Sequence, residues 1–332
     1  MKTTHLIAIL LAALVAVSSA EAVTIDLVTI GNAGNAPDTR YNSISVGSVG
    51  YEYQIGKYEV TAGQYTEFLN AVAKADPNGL YNWSMGRPGA GDDSQGANIL
   101  RTESSPNYSY SVAADWANRP VNYVSFWDAA RFANWLHNGQ PTGPQGPGTT
   151  EDGAYHDIGN QALFGRSPGA RFFIPTEDEW YKAAYHDQNA GSAASYFDYP
   201  TGTNVVPGND ITETTNLGNN ANYYNIISNS VAIRSPYYRT VAGEFELSDS
   251  PYGTFDQGGN VWEWNETKFS SMRGLRGGSF NFGWGLRAPS SANIAPADEF
   301  DSVGFRVASI PEPGTLLLVA MATLGLLLRR KR

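Results

Sequence analysis

There is no cysteine among the 332 residues. That excludes disulfides, thiolate metal sites and cysteine nucleophiles, so outside the cytoplasm the fold must be held by packing, hydrogen bonds or bound ions. Charge is sparse as well, with 16% Asp, Glu, Lys and Arg, which argues against a chain built of long, salt-bridged helices. Histidine is scarce. Beyond the N-terminal apolar run only His137, His156 and His186 remain, none in an H-E-x-x-H or H-x-x-x-H pattern, so a histidine-held catalytic metal is disfavoured. No serine lies in a G-x-S-x-G elbow, no segment repeats, and no linker is marked enough to divide the body. What abounds is 35 Gly, 18 Pro, 19 Tyr and 8 Trp, the composition of a folded, loop-rich and aromatic-rich domain.

The formal charge is −10, and basic residues gather at the two ends. Without those ends the body carries about −14, a surface that repels phosphate backbones and suits cations, neutral glycans or basic proteins, so nucleic acid is not an expected partner. At the N-terminus, Lys2 and His5 precede an apolar run from Leu6 to Val17, followed by Ser18-Ser19-Ala20-Glu21-Ala22. This is the order of a secretory signal over residues 1–22, which signal peptidase would cut after Ala20 or Ala22. At the other end, Pro311-Glu312-Pro313-Gly314 breaks the fold, Thr315 to Leu328 is apolar, and Arg329 to Arg332 is wholly basic. Fourteen helical residues reach roughly 21 Å, short of a hydrocarbon core of roughly 30 Å. The basic cluster would keep this end cytoplasmic. Residues 311–332 resemble the PEP-CTERM sorting signal of Gram-negative bacteria. That resemblance implies recognition by an exosortase, transient membrane association through the helix, and delivery to the cell surface or an exopolysaccharide matrix.

Between the ends, residues 23–310 read as one domain. Val23 to Ile30 alternates as a strand, and Tyr53 to Val60 reads as another. Thr61-Ala-Gly-Gln64 is a capping box, and Tyr65, Phe68, Leu69 and Val72 place apolar side chains on one face of the helix that follows. A second helix is signalled from Ser125 to the Asn138-Gly139 stop, and a third from Thr176, with Glu179 closing its box, to Tyr185. The acids Glu177, Asp178 and Glu179 fall in that helix's first turn, where the helix dipole accounts for them. Long Gly, Asn, Pro and Ser stretches separate these elements. With no disulfides, aromatic packing and metal ions are the natural pins.

The segment richest in chemistry runs from Tyr252 to Trp264. Asp256 and Glu263 flank a glycine turn whose carbonyls can face inward, an oxygen-rich arrangement suited to a hard cation such as Ca²⁺. A turn with two solvated acids and two core tryptophans would give the same spacing.

Ile55-Gly-Lys-Tyr-Glu-Val-Thr61, Arg119 to Trp127, Ala133 to Leu136, Arg171 to Trp180, Gly259 to Trp264, Arg276 to Phe280 and Gly304-Phe-Arg306 recur in order over roughly residues 50–308. Together they resemble the formylglycine-generating enzyme, or sulfatase-modifying factor, family. The resemblance implies an α+β variant of the C-type lectin fold, loop-rich, with antiparallel strands and a few helices. It also implies a calcium ion on the side chains of Asp256 and Glu263 and the carbonyls of Gly259 and Val261. A second calcium site would begin at Asn222 and Tyr223, although no acidic ligand matches between Asn229 and Ala242. The family's enzymes bind copper through two cysteines after the segment equivalent to Gly277-Gly278-Ser279. Here Phe282 stands where the first is expected, so neither Cu(I) binding by thiolates nor the family oxidation of a substrate cysteine is expected.

The expectation is therefore an exported, surface-associated, calcium-stabilised, lectin-like binding protein that is not catalytic and carries no copper. Its partner would be a glycan or a surface protein. Two other readings stay open on the sequence: cysteine-free chemistry in the family cleft around Ser279, Phe282, Trp284 and Arg287, or a structural role in the exopolysaccharide matrix.

Overall fold

The computed structural model describes residues 22–41, 45–86, 95–212 and 218–311. The secretory run up to Glu21 and the apolar tail from Glu312 lie outside the described residues. Among the described residues no helix is long and apolar enough to cross a membrane.

Strands β1 (Leu27–Ile30) and β2 (Tyr53–Gly56) lead into helix α1 (Ala62–Val72). A hairpin of β3 (Ile99–Thr102) and β4 (Ser109–Val112) precedes the single turn α2 (Ala114–Ala117) and helix α3 (Phe126–His137). Short strands β5 (Tyr155–His156), β6 (Gly165–Arg166) and β7 (Phe172–Phe173) come before α4 (Glu177–Tyr185). After a long irregular stretch come β8 (Trp262–Phe269), β9 (Met272–Arg276), β10 (Ala292–Ile294), β11 (Val303–Gly304) and β12 (Ala308–Ser309).

Two four-stranded sheets organise the chain, in the orders β1-β2-β12-β7 and β10-β9-β8-β11. Every pairing is antiparallel except β11 on β8. In the first sheet β12, from the end of the domain, lies directly against β2, from its beginning, with Ala308 opposite Ile55. The architecture is α+β, as the sequence indicates. The first two strands are shorter than their alternation suggests. Val23 is held by the Gln140 side chain, which accepts from its N–H at 2.7 Å and donates to its carbonyl at 2.8 Å, so strand pairing starts only at Leu27. Past Gly56, where β2 ends, one further bond continues the ladder, Lys57 N–H donating to the Asp26 carbonyl at 2.7 Å.

All three predicted helices form. Thr61 with Gln64 and Thr176 with Glu179 make both hydrogen bonds of a capping box, and Ser125 with Asp128 makes a third. Each satisfies two backbone groups that a helix start would leave open. The apolar face of α1 meets α3 through aromatic edges: Phe68 lies 5.3 Å from both Phe132 and Trp135, and Phe132 lies 5.4 Å from Phe305. Such pairs add about 0.5–1.5 kcal/mol beyond their burial, which suits a domain without cross-links.

Candidate functional site

The glycine turn before β8 is fixed by a close backbone approach. Gly259 has φ +92°, and a Cβ there would sit 2.2 Å from the Asn222 carbonyl oxygen. The approach lets Asn260 N–H donate to that oxygen at 2.7 Å and Gly259 N–H to the Gly277 carbonyl at 2.9 Å. The two segments read from sequence as separate calcium sites, at Asn222 and at Gly259, are therefore paired side by side. The Asn222 amide donates to Asn260 Oδ1 and to the Tyr238 carbonyl, both at 2.9 Å, while its own oxygen is buried without a donor. Tyr223 turns away, its hydroxyl donating to the Pro207 carbonyl at 2.7 Å. Val261 is fully buried.

Glu263 sits inside the protein with Arg306, and neither is exposed. Arg306 Nε donates to Oε2 and Nη2 to Oε1, each at 2.6 Å, and Trp180 Nε1 also donates to Oε2 at 2.7 Å. Three donors on one carboxylate leave little of its capacity for a cation. Asp256 accepts from Gly243 N–H at 2.6 Å, and burial pushes its carboxyl up to about 6. Glu59 joins these acids in the interior. It is 2% exposed, neither oxygen accepts a hydrogen bond, and burial, with Asp256 and Glu263 nearby, pushes it well above the usual carboxylate range. Sequence reading misses Glu59, although a lone acid between Tyr58 and Val60 at a strand-to-helix junction is a signal for it. As a test of a hard cation, Asp256 and Glu59 fit, whereas Glu263 is mostly taken.

The cleft residues separate into two groups. Ser279 is fully buried, with Oγ donating to Asn281 Oδ1 at 2.7 Å, so it is not open to a substrate. Phe282 and Trp284 are 38% and 59% exposed, and Arg287 is exposed as well. Trp262, buried underneath, meets Phe282 and Trp284 edge-on at 6.0 and 6.1 Å, and those two rings stand 88° apart at 6.1 Å. Gly283, between them, lies against the Tyr224 carbonyl and Ile226, so exposed Ile226 extends the aromatic surface.

The first-turn acids of α4 do more than complement its dipole. Glu177 accepts from Arg276 Nε at 2.9 Å, Asp178 from Gly47 N–H at 2.7 Å, and Glu179 from the Tyr51 hydroxyl at 2.6 Å and from Arg166. The histidines do not converge: His137 accepts from Arg171 N–H, His156 pairs with Asp157, and His186 is buried against Tyr252. Among the described residues no three His, Asp or Glu side chains form a ready metal cage.

Residues 28–310 match the family described as the sulfatase-modifying factor enzyme 1-like domain. The chain belongs to this family. Its α+β architecture is the sulfatase-modifying factor type, a variant of the C-type lectin fold. Residues 309–332 match the PEP-CTERM protein-sorting motif, which marks the chain as an exported cell-envelope protein, associated with the membrane through its tail and processed by exosortase. Three solved structures resemble this sulfatase-modifying factor domain. CarF shares 20% identity at a TM-score of 0.45, over 87% of this chain and 99% of its own. The Treponema denticola variable protein 1 shares 19% at 0.47, over 86% and 95%. PvdO from Pseudomonas aeruginosa shares 18% at 0.44, over 86% and 92%. No curated protein matches the chain.

Proposed function

We propose that this exported member of the family is a binding protein that does not run the family oxidation, and that its ligand is a neutral glycan taken on the Phe282 and Trp284 rings. One observation carries this reading: two aromatic side chains are held in the open, at a large angle to each other, over a buried tryptophan. Exposed apolar side chains that form one contiguous patch, unlike those scattered singly, mark binding surfaces. A sugar presents an apolar C–H face to such rings and hydroxyls to the polar groups around them. Asn281 and Arg287, exposed and near the rings in sequence, would supply such polar groups. The net charge of −10 favours a neutral ligand over a polyanion. A chain without cysteine has no thiolate for copper, and the burial of Ser279 weighs against hydroxyl chemistry in the cleft.

Calcium belongs to the same reading as a structural ion near the Gly259 turn, with Asp256 and the Gly259 and Val261 carbonyls as its ligands from that stretch. Glycan-array binding by the processed protein tests the function. Trp284→Ala should weaken retention about tenfold, the loss of roughly 1.4 kcal/mol, while Trp83→Ala, an exposed tryptophan on another element, should not. Equal retention by wild type and Trp284→Ala, or no glycan bound at all, would overturn it.

A further inference from the structure

Only Glu312, Pro313 and Gly314 lie between Pro311, at the end of the domain, and the apolar run that opens at Thr315. The four steps from Pro311 to Thr315 reach about 14 Å at most when fully extended. The headgroup layer over the hydrocarbon takes up roughly 5–7 Å of that. Pro311 itself is fixed on the domain, where it walls a cavity of about 160 Å³ with Ile310, Arg166 and Arg171. Before the tail is cut, the surface around this cavity is therefore held at the headgroups.

That surface differs in charge from the rest of an acidic body. No Asp or Glu occurs from Ile158 to Thr176, from Thr267 to Ala297 or from Ser302 to Pro311, and these stretches meet. The Gln161 carbonyl accepts from Lys268 Nζ and its side chain from Arg273 Nε, each at 3.0 Å, which sets the 161–171 segment against the tip of the β8–β9 hairpin. Ser309 pairs with Phe172, which brings Ile310 to the other end of the same segment. Leu163, Phe269, Met272 and Ile310 are 40–61% exposed along it, and Arg171 and Lys268 are exposed as well. The bordering acids are engaged, Glu179 and Glu266 by Arg166, and Asp157 by His156. Cations set among exposed apolar side chains suit a lipid surface, where the first meet phosphate headgroups and the second enter the layer beneath.

We propose that this face, built from residues 161–171, the β8–β9 tip and Ile310, docks on the anionic phospholipid surface of the membrane that holds the tail. It sets the Pro311-Glu312-Pro313 segment at headgroup depth for its processing enzyme. So small a patch binds weakly and reversibly by itself, and the tail supplies the second hold. Removal of the tail then frees the domain, whose remaining surface is acidic and is repelled by the same lipids.

With no cysteine in the chain, a fluorophore can be placed at one chosen site. The full chain is reconstituted through its tail into vesicles of phosphatidylcholine and phosphatidylglycerol in equal parts. A label introduced by Leu163→Cys or Phe269→Cys should be quenched by spin-labelled headgroups about threefold more than one introduced by Ile227→Cys, an exposed isoleucine outside this face. Inserting about twenty Gly and Ser residues after Pro313 separates affinity from tethering. In that chain the Leu163 signal should persist in the anionic vesicles, and should fall in pure phosphatidylcholine or in high salt. Arg171→Glu with Lys268→Glu should abolish it, whereas Arg234→Glu, an exposed cation elsewhere, should not. Equal quenching at Ile227 and Leu163 would overturn docking by this face. Loss of the Leu163 signal on lengthening the tether would overturn it too, and would mean that the tether alone keeps the domain near the bilayer. A signal indifferent to both lipid charge and charge reversal would overturn the pairing with headgroups.

Discussion

Arg306 and Glu263 form a two-pronged ion pair, 2.6 Å at each prong, at a point where neither residue meets solvent. Arg306 lies just past β11 and Glu263 within β8, so the pair locks the parallel edge of the second sheet. Its remaining donors on Gly56 and Lys57, at the end of β2, fasten the same arginine to the first sheet, and that on Phe255 fastens it to the loop before β8. Removing one partner from a buried pair strands the other charge and costs about 3–5 kcal/mol. Arg306→Ala and Glu263→Ala should each lower the denaturation midpoint by that order. Arg306→Lys should recover little, since an ammonium has three donors and no planar fork. A midpoint near wild type for Arg306→Lys would mean that charge alone, not the fork, holds the two sheets.

Stability should also report a second buried acid pair. Asp128 closes the capping box of α3, Glu299 reaches it from the loop before β11, and the two carboxyls share a hydrogen bond. Burial pushes Asp128 up to about 6 and Glu299 up to about 7. Both lie above unfolded values of about 3.9 and 4.3. The folded form therefore binds more protons across that interval. The pair's stabilising contribution is full below about pH 4 and is lost as pH rises through 6 to 7. Glu299→Gln cannot ionise, so its melting temperature should fall less than wild type's between pH 5 and pH 8. Parallel curves for the two proteins would remove this pair from the pH dependence.

Local signals were legible in the chain and distant ones were not. Thr61 with Gln64 and Thr176 with Glu179 announce helix starts because a capping box spans only four residues. Glu177 looks like a helix-dipole residue from the same short window, and its contact with Arg276, 99 positions away, is invisible there. The pairing of Gly259 with Asn222 is hidden likewise, since nothing in either segment names the other. Glu59 is the sharpest case. Its lack of a partner becomes visible only when the donors of Arg306 have been traced to acceptors drawn from the strands β2 and β8 and the loop before β8.

Processing at the ends should be visible by mass. The secretory run and the sorting motif together predict a surface form that begins at Glu21 or Val23 and lacks every peptide from Leu316 to Arg332. Peptide mass spectrometry of the protein from the cell surface checks both cuts. Recovery of the basic terminus in a membrane fraction would replace sorting by permanent anchoring.

Gly259 permits a test of the turn that separates backbone strain from steric fit. Gly253 and Gly259 both have left-handed φ, +84° and +92°, so alanine at either position should cost about 1–2 kcal/mol from conformation alone. A Cβ on Gly253 meets nothing within 4 Å, whereas one on Gly259 would lie 2.2 Å from the Asn222 oxygen and 2.7 Å from its carbonyl carbon. Those atoms are backbone, in a segment held by Asn260 N–H and by the Asn222 side chain, and cannot swing aside as a side chain would. Gly259→Ala should therefore lose a further 1–3 kcal/mol or so beyond Gly253→Ala, as overpacking typically does. Denaturant melts of the two variants beside wild type measure the difference directly. Equal losses would mean that the Asn222 segment yields, and that the close approach follows from the glycine rather than requiring it.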